Sequence, residues 1–317
     1  MAILVTGAAG FIGFHLCQKL LETGAEIIGY DNVNHYYDPN LKEARLKILS
    51  DYANFKFYRH DLCEFDALEK VFQQHAIEKI CHLAAQAGVR YSLTNPFAYQ
   101  KSNIEGFLNI IELAKRSKVT NFVFASSSSV YGNNQKLPFA VTDNVDHPIS
   151  LYAASKKSDE LIAHAYSYLY QLPTTGLRFF TVYGPYGRPD MALFIFTHKI
   201  FTGEPIDVYN YGNMRRDFTY IDDVISGVIS ALEHQFAYEI FNLGNHRSEN
   251  LMDFIRLIEQ YTGKQAKINY LPLQPGDIPE TFADIEQSHI KLGFQPTTNI
   301  EVGIKRFIEW YQEYYHL

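Results

Sequence analysis

The sequence predicts an α/β fold: a doubly wound parallel sheet of the Rossmann type with a smaller mixed α/β C-terminal region. Three observations carry this. A glycine triplet, Gly7, Gly10 and Gly13, follows the apolar run Ala2-Ile3-Leu4-Val5 at the start of the chain. Apolar runs of strand length then alternate with helical patterns for about 180 residues. A Tyr and a Lys stand four apart, as Tyr152 and Lys156, at the opening of a long helical pattern.

Ala2–Thr6 reads as a strand buried on both faces, because it is a continuous apolar run. A helix follows to about Glu22 and is stopped by Gly24. In that setting Gly7 permits a tight turn. Gly10 lets the backbone approach a pyrophosphate at the helix N-terminus, and Gly13 lets the helix pack closely on the sheet. Phe11 and Ile12 sit between the last two glycines. The spacing is Gly-x-x-Gly-x-x-Gly rather than the commoner Gly-x-Gly-x-x-Gly. A second apolar run, Ile27-Ile28-Gly29-Tyr30, ends in Asp31. An acid placed there bonds an adenosine ribose and repels a 2′-phosphate, so the expected cofactor is NAD rather than NADP.

Further strands are expected at Phe55–Tyr58, Lys79–Leu83, Asn121–Ala125 and Thr174–Phe179, with the second spanning Glu26–Tyr30. The clearest helices are Phe97–Lys115 and Tyr152–Tyr170. In the latter, Leu151, Ala154, Leu161, Ile162, Ala165 and Leu169 are read as one apolar side. The stretch Tyr183-Gly184-Pro185-Tyr186-Gly187-Arg188-Pro189 is loop-like and marks a shift in composition. Beyond it, helices are expected near Met191–Phe201, Asp222–Glu233, Leu251–Thr262 and Ile300–Tyr315. The division is a cofactor-binding unit over residues 1–180 and a substrate-binding region over 181–317. The segment of about 216–244 returns to the first unit through a strand at Phe241-Asn242-Leu243.

Bulk properties narrow the class. The chain has 317 residues, 47% apolar and 20% charged, and a net charge of −7. That is ample for a globular core and argues against general nucleic-acid binding. The three cysteines, Cys17, Cys63 and Cys81, lack metal-ligand spacing, so a reducing, cytoplasmic setting is expected and no metal. The first residues lack a signal peptide's charged flank, and no run is long enough for a membrane span.

The Tyr152/Lys156 pair is the chemical core of the reading. On a helix the two share one face. An ammonium and a nearby nicotinamide cation both stabilise phenolate, so Tyr152 can act as an acid/base near neutral pH. Tyr52 and Lys56 show the same spacing, but run into the strand pattern Phe55-Lys56-Phe57-Tyr58 and would not share a helix face.

With these motifs together, the chain resembles the extended short-chain dehydrogenase/reductase family, and within it the UDP-glucuronate 4-epimerases. The branch-specific stretches are Asp31-Asn32-Val33-Asn34-His35-Tyr36-Tyr37-Asp38-Pro39, Ala87-Gly88-Val89-Arg90-Tyr91-Ser92, Gly187-Arg188-Pro189-Asp190-Met191-Ala192 and Arg216-Asp217-Phe218-Thr219-Tyr220-Ile221-Asp222-Asp223. The resemblance implies Tyr152 as catalytic acid/base, Lys156 as its tuning group and ribose ligand, and Ser127 as the hydroxyl beside the reacting oxygen. The run Ser126-Ser127-Ser128-Ser129 leaves that register open by one, with a solvated turn serine as the alternative for Ser126 and Ser128. Asp61 and Leu62 are implied beside the adenine, and Ala84 and Ala85 along the cofactor. His82 is read as a core histidine and Arg178 as structural.

For a UDP-sugar substrate the resemblance implies Arg188 on the sugar carboxylate and Arg90 near the sugar or phosphates. Arg216, Gln274 and Asp277 are implied near the diphosphate and uridine ribose, and Thr181 beside a phosphate. Gln274 stands where many relatives carry Arg. Related dehydratases and decarboxylases carry carboxyl residues just before the Val-Tyr-Gly triplet, where this chain has Ser128 and Ser129, neither of which is a carboxylic acid. The implied reaction is therefore oxidation and re-reduction at C4 of a UDP-hexuronate, by an NAD-retaining homodimer serving polysaccharide biosynthesis. A UDP-glucuronate decarboxylase, an epimerase of UDP-glucose or UDP-N-acetylhexosamine, and a non-catalytic NAD-sensing module are the alternatives.

Overall fold

Seven strands form one parallel sheet in the computed structural model, which describes residues 2–274 and 277–317. Across the sheet they run Tyr238–Leu243, Thr174–Phe179, Asn121–Ser127, Ile77–His82, Ala2–Thr6, Ile27–Tyr30 and Phe55–Tyr58. The order reverses between Ala2–Thr6 and Ile77–His82, which pair directly with Thr6 opposite His82. In open parallel sheets, ligands bind beyond the C-terminal strand ends at such a reversal. The expected return of Phe241-Asn242-Leu243 is present: Tyr238–Leu243 pairs parallel with Thr174–Phe179.

Helices cover both faces of the sheet. On one, Phe107, Ile110, Ile111 and Ala114 pack with Ile80, Phe122 and Phe124. On the other, Phe14, Cys17 and Leu21 meet Val224 and Val228 of the helix Ile221–Glu233 in a core that continues into the C-terminal region. There Ala192–Thr202, Leu251–Thr262 and Ile300–Tyr315 pack through Phe194, Phe254, Phe307 and Tyr311, all buried. Among the described residues, no helix is long and apolar enough to cross a membrane.

Two helices differ from expectation in ways that matter for the site. Phe97–Lys115 is not one regular helix. It is Pro96–Tyr99, a widened π-turn at Gln100–Glu105 and then Gly106–Arg116. The widened turn carries Asn103, whose side chain bonds both backbone groups of Gln86, at 2.7 and 3.0 Å, and Ser155 Oγ at 2.8 Å. Tertiary hydrogen bonds thus override the helical repeat, a frequent origin of π-turns at functional sites.

The helix Leu151–Tyr170, capped by Ser150, turns a polar side inward. It buries Ser155, Lys156, Asp159, Glu160 and Ser167 beside Ala153 and Ala163. Most of the apolar row read from the sequence faces out, with Leu151, Leu161 and Leu169 exposed, while Ile162 packs against the sheet core. The inner face carries the site, so the hydrophobic row does not mark the core here.

Candidate active site

The glycine loop builds the floor of a cleft at the strand reversal. Gly7 has φ +74°, and a Cβ there would lie 2.8 Å from the backbone nitrogen of Ala84. A Cβ on Gly13 would lie 2.0 Å from Gly7 O. The first helix therefore packs against the loop at a distance that only glycine permits. Gly10 caps this helix without a side chain, so its first amides open toward the cleft, as an anion site requires.

Asp31 sits at the end of its strand, as expected. Its carboxylate accepts from the amides of Ala9, at 3.1 Å, and Val33, at 2.8 Å. Burial raises its pKa, against the pull of those amides and of Lys42. Lys42, absent from the sequence reading, is buried on the helix Pro39–Ser50 and bonds Asn34 O and Oδ1 at 2.7 and 2.8 Å. Burial lowers its pKa to about 8.

The same cleft gathers Gly7, Gly10, Phe11, Ile12, Gly13, Asp31, Asp61, Leu62, Ala84, Ala85, Ser127, Tyr152, Lys156 and Arg188, predicted from segments spread over more than half the chain. Tyr152 is half-buried, with the ring of Tyr99 edge-on at 6.0 Å. Tyr99 is itself fixed by bonds from its hydroxyl to Ala87 O and Gly88 O. Lys156 Nζ donates to Asp159 Oδ2 at 3.0 Å.

The serine run divides. Ser126 is no solvated turn residue: the strand extends through Ser127, and Ser126 Oγ donates to Glu160 Oε1 at 2.6 Å. Glu160 in turn holds Arg178 bidentately at 2.8 and 2.9 Å, so Arg178 is structural, as read. Ser127 lines the cleft with Tyr152 and accepts from the Ser129 amide. His82 is a core histidine, bonded to Thr6 Oγ1 at 2.8 Å and stacked on Phe122. Tyr52 lies in a turn and Lys56 in a strand, so that pair shares no helix.

Ser128, Ser129, Thr181, Arg216 and Asp277 line a second hollow. It shares a wall with the first, because Ser127 and Ser128, and Phe180, Thr181 and Val182, alternate between the two. Asp277 lies 3.3 Å from Arg90 and 3.9 Å from Arg216. Arg90 also covers the Tyr209 ring and is largely exposed. Gln274 lines neither hollow; its carbonyl accepts from the Asp277 amide.

Arg188 reaches the cleft, but its fork already holds a carboxylate. Nε and Nη2 donate to Asp190 at 3.0 and 2.5 Å, and Tyr36 donates to the same carboxylate at 3.0 Å. Against the opposing effect of burial, these donors hold Asp190 below the usual carboxylate range. Sequence spacing gave no sign of this partner.

Comparison with known proteins agrees with the geometry. The model of the NAD dependent epimerase/dehydratase family matches residues 3–244. An uncharacterised protein of Methanocaldococcus jannaschii is 54% identical over 98% of this chain and 96% of its own length. The UDP-glucuronate 4-epimerase 4 of Arabidopsis thaliana is 44% identical over 99% of this chain and 76% of its own. The crystal structure of the Bacillus cereus UDP-glucuronic acid 4-epimerase, in complex with UDP-glucuronic acid and NAD, superposes with a TM-score of 0.93. It is 36% identical, over 99% of this chain and all of that one.

Proposed function

We propose that this chain, which belongs to the NAD dependent epimerase/dehydratase family, is an NAD-dependent isomerase that inverts C4 of UDP-glucuronate to give UDP-galacturonate. The observation that carries the reading is the meeting of Ser127, Tyr152 and Lys156 with the glycine loop in one cleft. Relatives and neighbours that carry this activity by name support it.

The residues present fit the cofactor. Gly7, Gly10, Phe11, Ile12 and Gly13 would hold its pyrophosphate, and Asp31 its adenosine ribose. Asp61 and Leu62 would hold the adenine, and Ala84 and Ala85 would line the cleft beside the nicotinamide. Bound there, NAD supplies the chemistry of taking the C4 hydride and giving it back. Tyr152 accepts the proton of the C4 hydroxyl and later returns it to the C4 oxygen; Ser127 orients that oxygen, and Lys156 supplies positive charge beside the phenol. The 4-keto sugar presents its other face before re-reduction.

Ser128, Ser129 and Thr181, with Arg216, Asp277 and Arg90 beside Asp277, form the substrate side, Gln274 standing outside both hollows, and Arg188 meets the sugar's carboxylate. Because Asp190 occupies the Nε/Nη2 edge of Arg188, that meeting uses Nη1 or displaces Asp190. The absence of a carboxyl residue at 128 and 129 argues for epimerisation over dehydration or decarboxylation. Residues 1–180, with the return of about 216–244, serve the cofactor, and 181–317 the UDP-sugar. The protein works in the cytoplasm as a homodimer. The exposed apolar rows that would pair two copies are Leu93, Phe97 and Leu108 on one side, and Leu161, Tyr168 and Leu169 on the other.

Incubation with UDP-glucuronate, followed by NMR of the sugar and a spectrum of the purified protein, tests the reading. The expected results are UDP-galacturonate as sole product, nicotinamide retained on the protein and no NADH accumulating. A UDP-pentose product, or stoichiometric NADH, would replace epimerisation by decarboxylation or net dehydrogenation.

A further inference from the structure

The helix that carries Tyr152 and Lys156 buries a second carboxylate beside the one that holds Arg178. Asp159 lies three residues beyond Lys156, and its Oδ2 accepts from Lys156 Nζ at 3.0 Å. Both side chains are withdrawn from solvent, at 2% and 0% exposure. Burying two charges costs several kcal/mol per ion before their attraction repays it, and an apolar pair of similar size often serves stability as well or better. The pair is also incomplete, since Asp159 Oδ1 is buried without a hydrogen-bond partner among the described residues. Glu160, the next residue, shows what a fully bonded buried carboxylate looks like here. Arg178 takes both of its oxygens and Ser126 adds a third donor. Asp159 has one partner, and that partner is the ammonium lining the cleft with Tyr152.

We infer that Asp159 is a positioning residue that fixes the Lys156 ammonium, partly offsets its charge, and so sets the proton affinity of the Tyr152 phenol. The inference rests on the reading of Tyr152 and Lys156 as the acid/base pair. A lone ammonium beside a phenol strongly favours phenolate. A carboxylate 3.0 Å from that ammonium opposes its field at the phenol and holds the ammonium in place. Tyr152 needs this balance, because in each cycle it must take a proton from the C4 hydroxyl and later return it. A phenol stripped of its proton too readily is a poor acid in the second half.

The groups facing this cluster can be named. Tyr99 stands edge-on to Tyr152, with its phenol pushed above its usual range by burial. Arg188 lines the cleft with Tyr152, its charge held by Asp190. His82, on the adjoining strand, is kept neutral by burial and by Lys156, its pKa lowered to about 3. Glu160 is committed to Arg178. Burial pushes the Asp159 carboxyl up, and the Lys156 ammonium opposes that rise.

The test is the pH dependence of kcat and kcat/KM for UDP-glucuronate with the NAD-loaded protein, for wild type, Asp159→Asn and Asp159→Glu. Asn keeps the shape and an acceptor for Lys156 but removes the charge. Both limbs of the bell should move to lower pH, by about one unit, and Glu should return them toward wild type. The phenolate absorbance titration without substrate, taken as wild type minus Tyr152→Phe, should move the same way in the Asn background. Activity reduced equally at all pH with the limbs fixed would make Asp159 a packing residue, and an unchanged profile would also overturn the inference. Asp159→Ser, also uncharged, gives the same reading if the Asn variant does not fold. Normal turnover by Tyr152→Phe in the same series would instead sink the acid/base reading itself, so the two failures are distinguishable.

Discussion

Replacing Arg45 with methionine should weaken the protein and loosen both of its ligands together. Arg45 is fully buried on the helix Pro39–Ser50. Its Nη1 donates to Ala9 O at 2.8 Å and to the Tyr37 hydroxyl at 2.7 Å. Its Nη2 donates to Tyr186 O at 2.6 Å and, more weakly, to Gly187 O at 3.4 Å. One guanidinium thus ties the glycine loop to the loop that carries Arg188. Methionine fills much of the volume but strands three well-bonded acceptors. At about 1 kcal/mol or more for each buried acceptor left unpaired, the loss is about 3 kcal/mol. For a protein of this size that corresponds to a fall in Tm of roughly 4–5 °C. Thermal unfolding measures the stability, and nicotinamide content after gel filtration, with KM for UDP-glucuronate, measures the coupling. Arg45→Lys should fall between wild type and Met, because an ammonium lacks the planar fork that reaches both loops at once. A Tm within about 2 °C of wild type, with cofactor retained and KM unchanged, would refute the claim that this residue joins the two loops.

Three further outcomes are expected. Tyr152→Phe should lower kcat by about 10²–10⁴-fold while NAD and substrate still bind, whereas Tyr52→Phe, from a turn outside the cleft, should turn over like wild type; steady-state kinetics and calorimetry read both. Arg188→Ala should weaken UDP-glucuronate more than UDP-glucose in calorimetric titrations, by about 2–5 kcal/mol, and equal losses would move the carboxylate contact to the Ser127–Ser129 hydroxyls or Arg90. Stability should carry an acid-sensitive contribution from His82, whose folded-state pKa is lowered to about 3. Below about pH 6.5 the unfolded chain binds a proton there that the folded chain does not, so this contribution is present above that pH and lost as pH falls, at about 1.4 kcal/mol per unit. The fall in Tm between about pH 7.5 and 5.5 should accordingly be smaller for His82→Asn than for wild type.

What was legible in the sequence is what local pattern can express. Buried parallel strands appear as apolar runs, and Ala2–Thr6, Phe55–Tyr58 and Thr174–Phe179 lie where those runs placed them. Leu251–Thr262 and Ile300–Tyr315 also match, since each pairs a helical apolar period with an asparagine cap. The glycine spacing, Asp31 and the Tyr152/Lys156 pair were legible because each is a short motif whose geometry is fixed within a turn or two. The helix Leu151–Tyr170 shows where this stops. Its apolar row is real, yet Leu161 and Leu169 face outward while Lys156, Asp159 and Glu160 are buried. Periodicity reports that a helix has two faces; it does not report which face meets the sheet when the inner one carries the chemistry.

The contacts that shape the cleft were hidden for a different reason. Arg45 meets Tyr186 across 141 positions, Tyr36 meets Asp190 across 154, and Asn103 meets Ser155 across 52. None of these pairs has a spacing that a helix or strand would impose, so no window along the chain could connect them. Arg188 and Asp190 are only two apart, yet they too escaped notice, because a loop imposes no side-chain periodicity and two residues so placed need not face each other. The consequence is chemical. A sequence reading sees a free guanidinium fork awaiting a substrate carboxylate, whereas the fold supplies a carboxylate of its own, held also by Tyr36. Under the proposed function, an anionic sugar would compete with Asp190 for Arg188 or take the edge it leaves open. Selectivity at this position would then be a difference between two carboxylates rather than the strength of one contact.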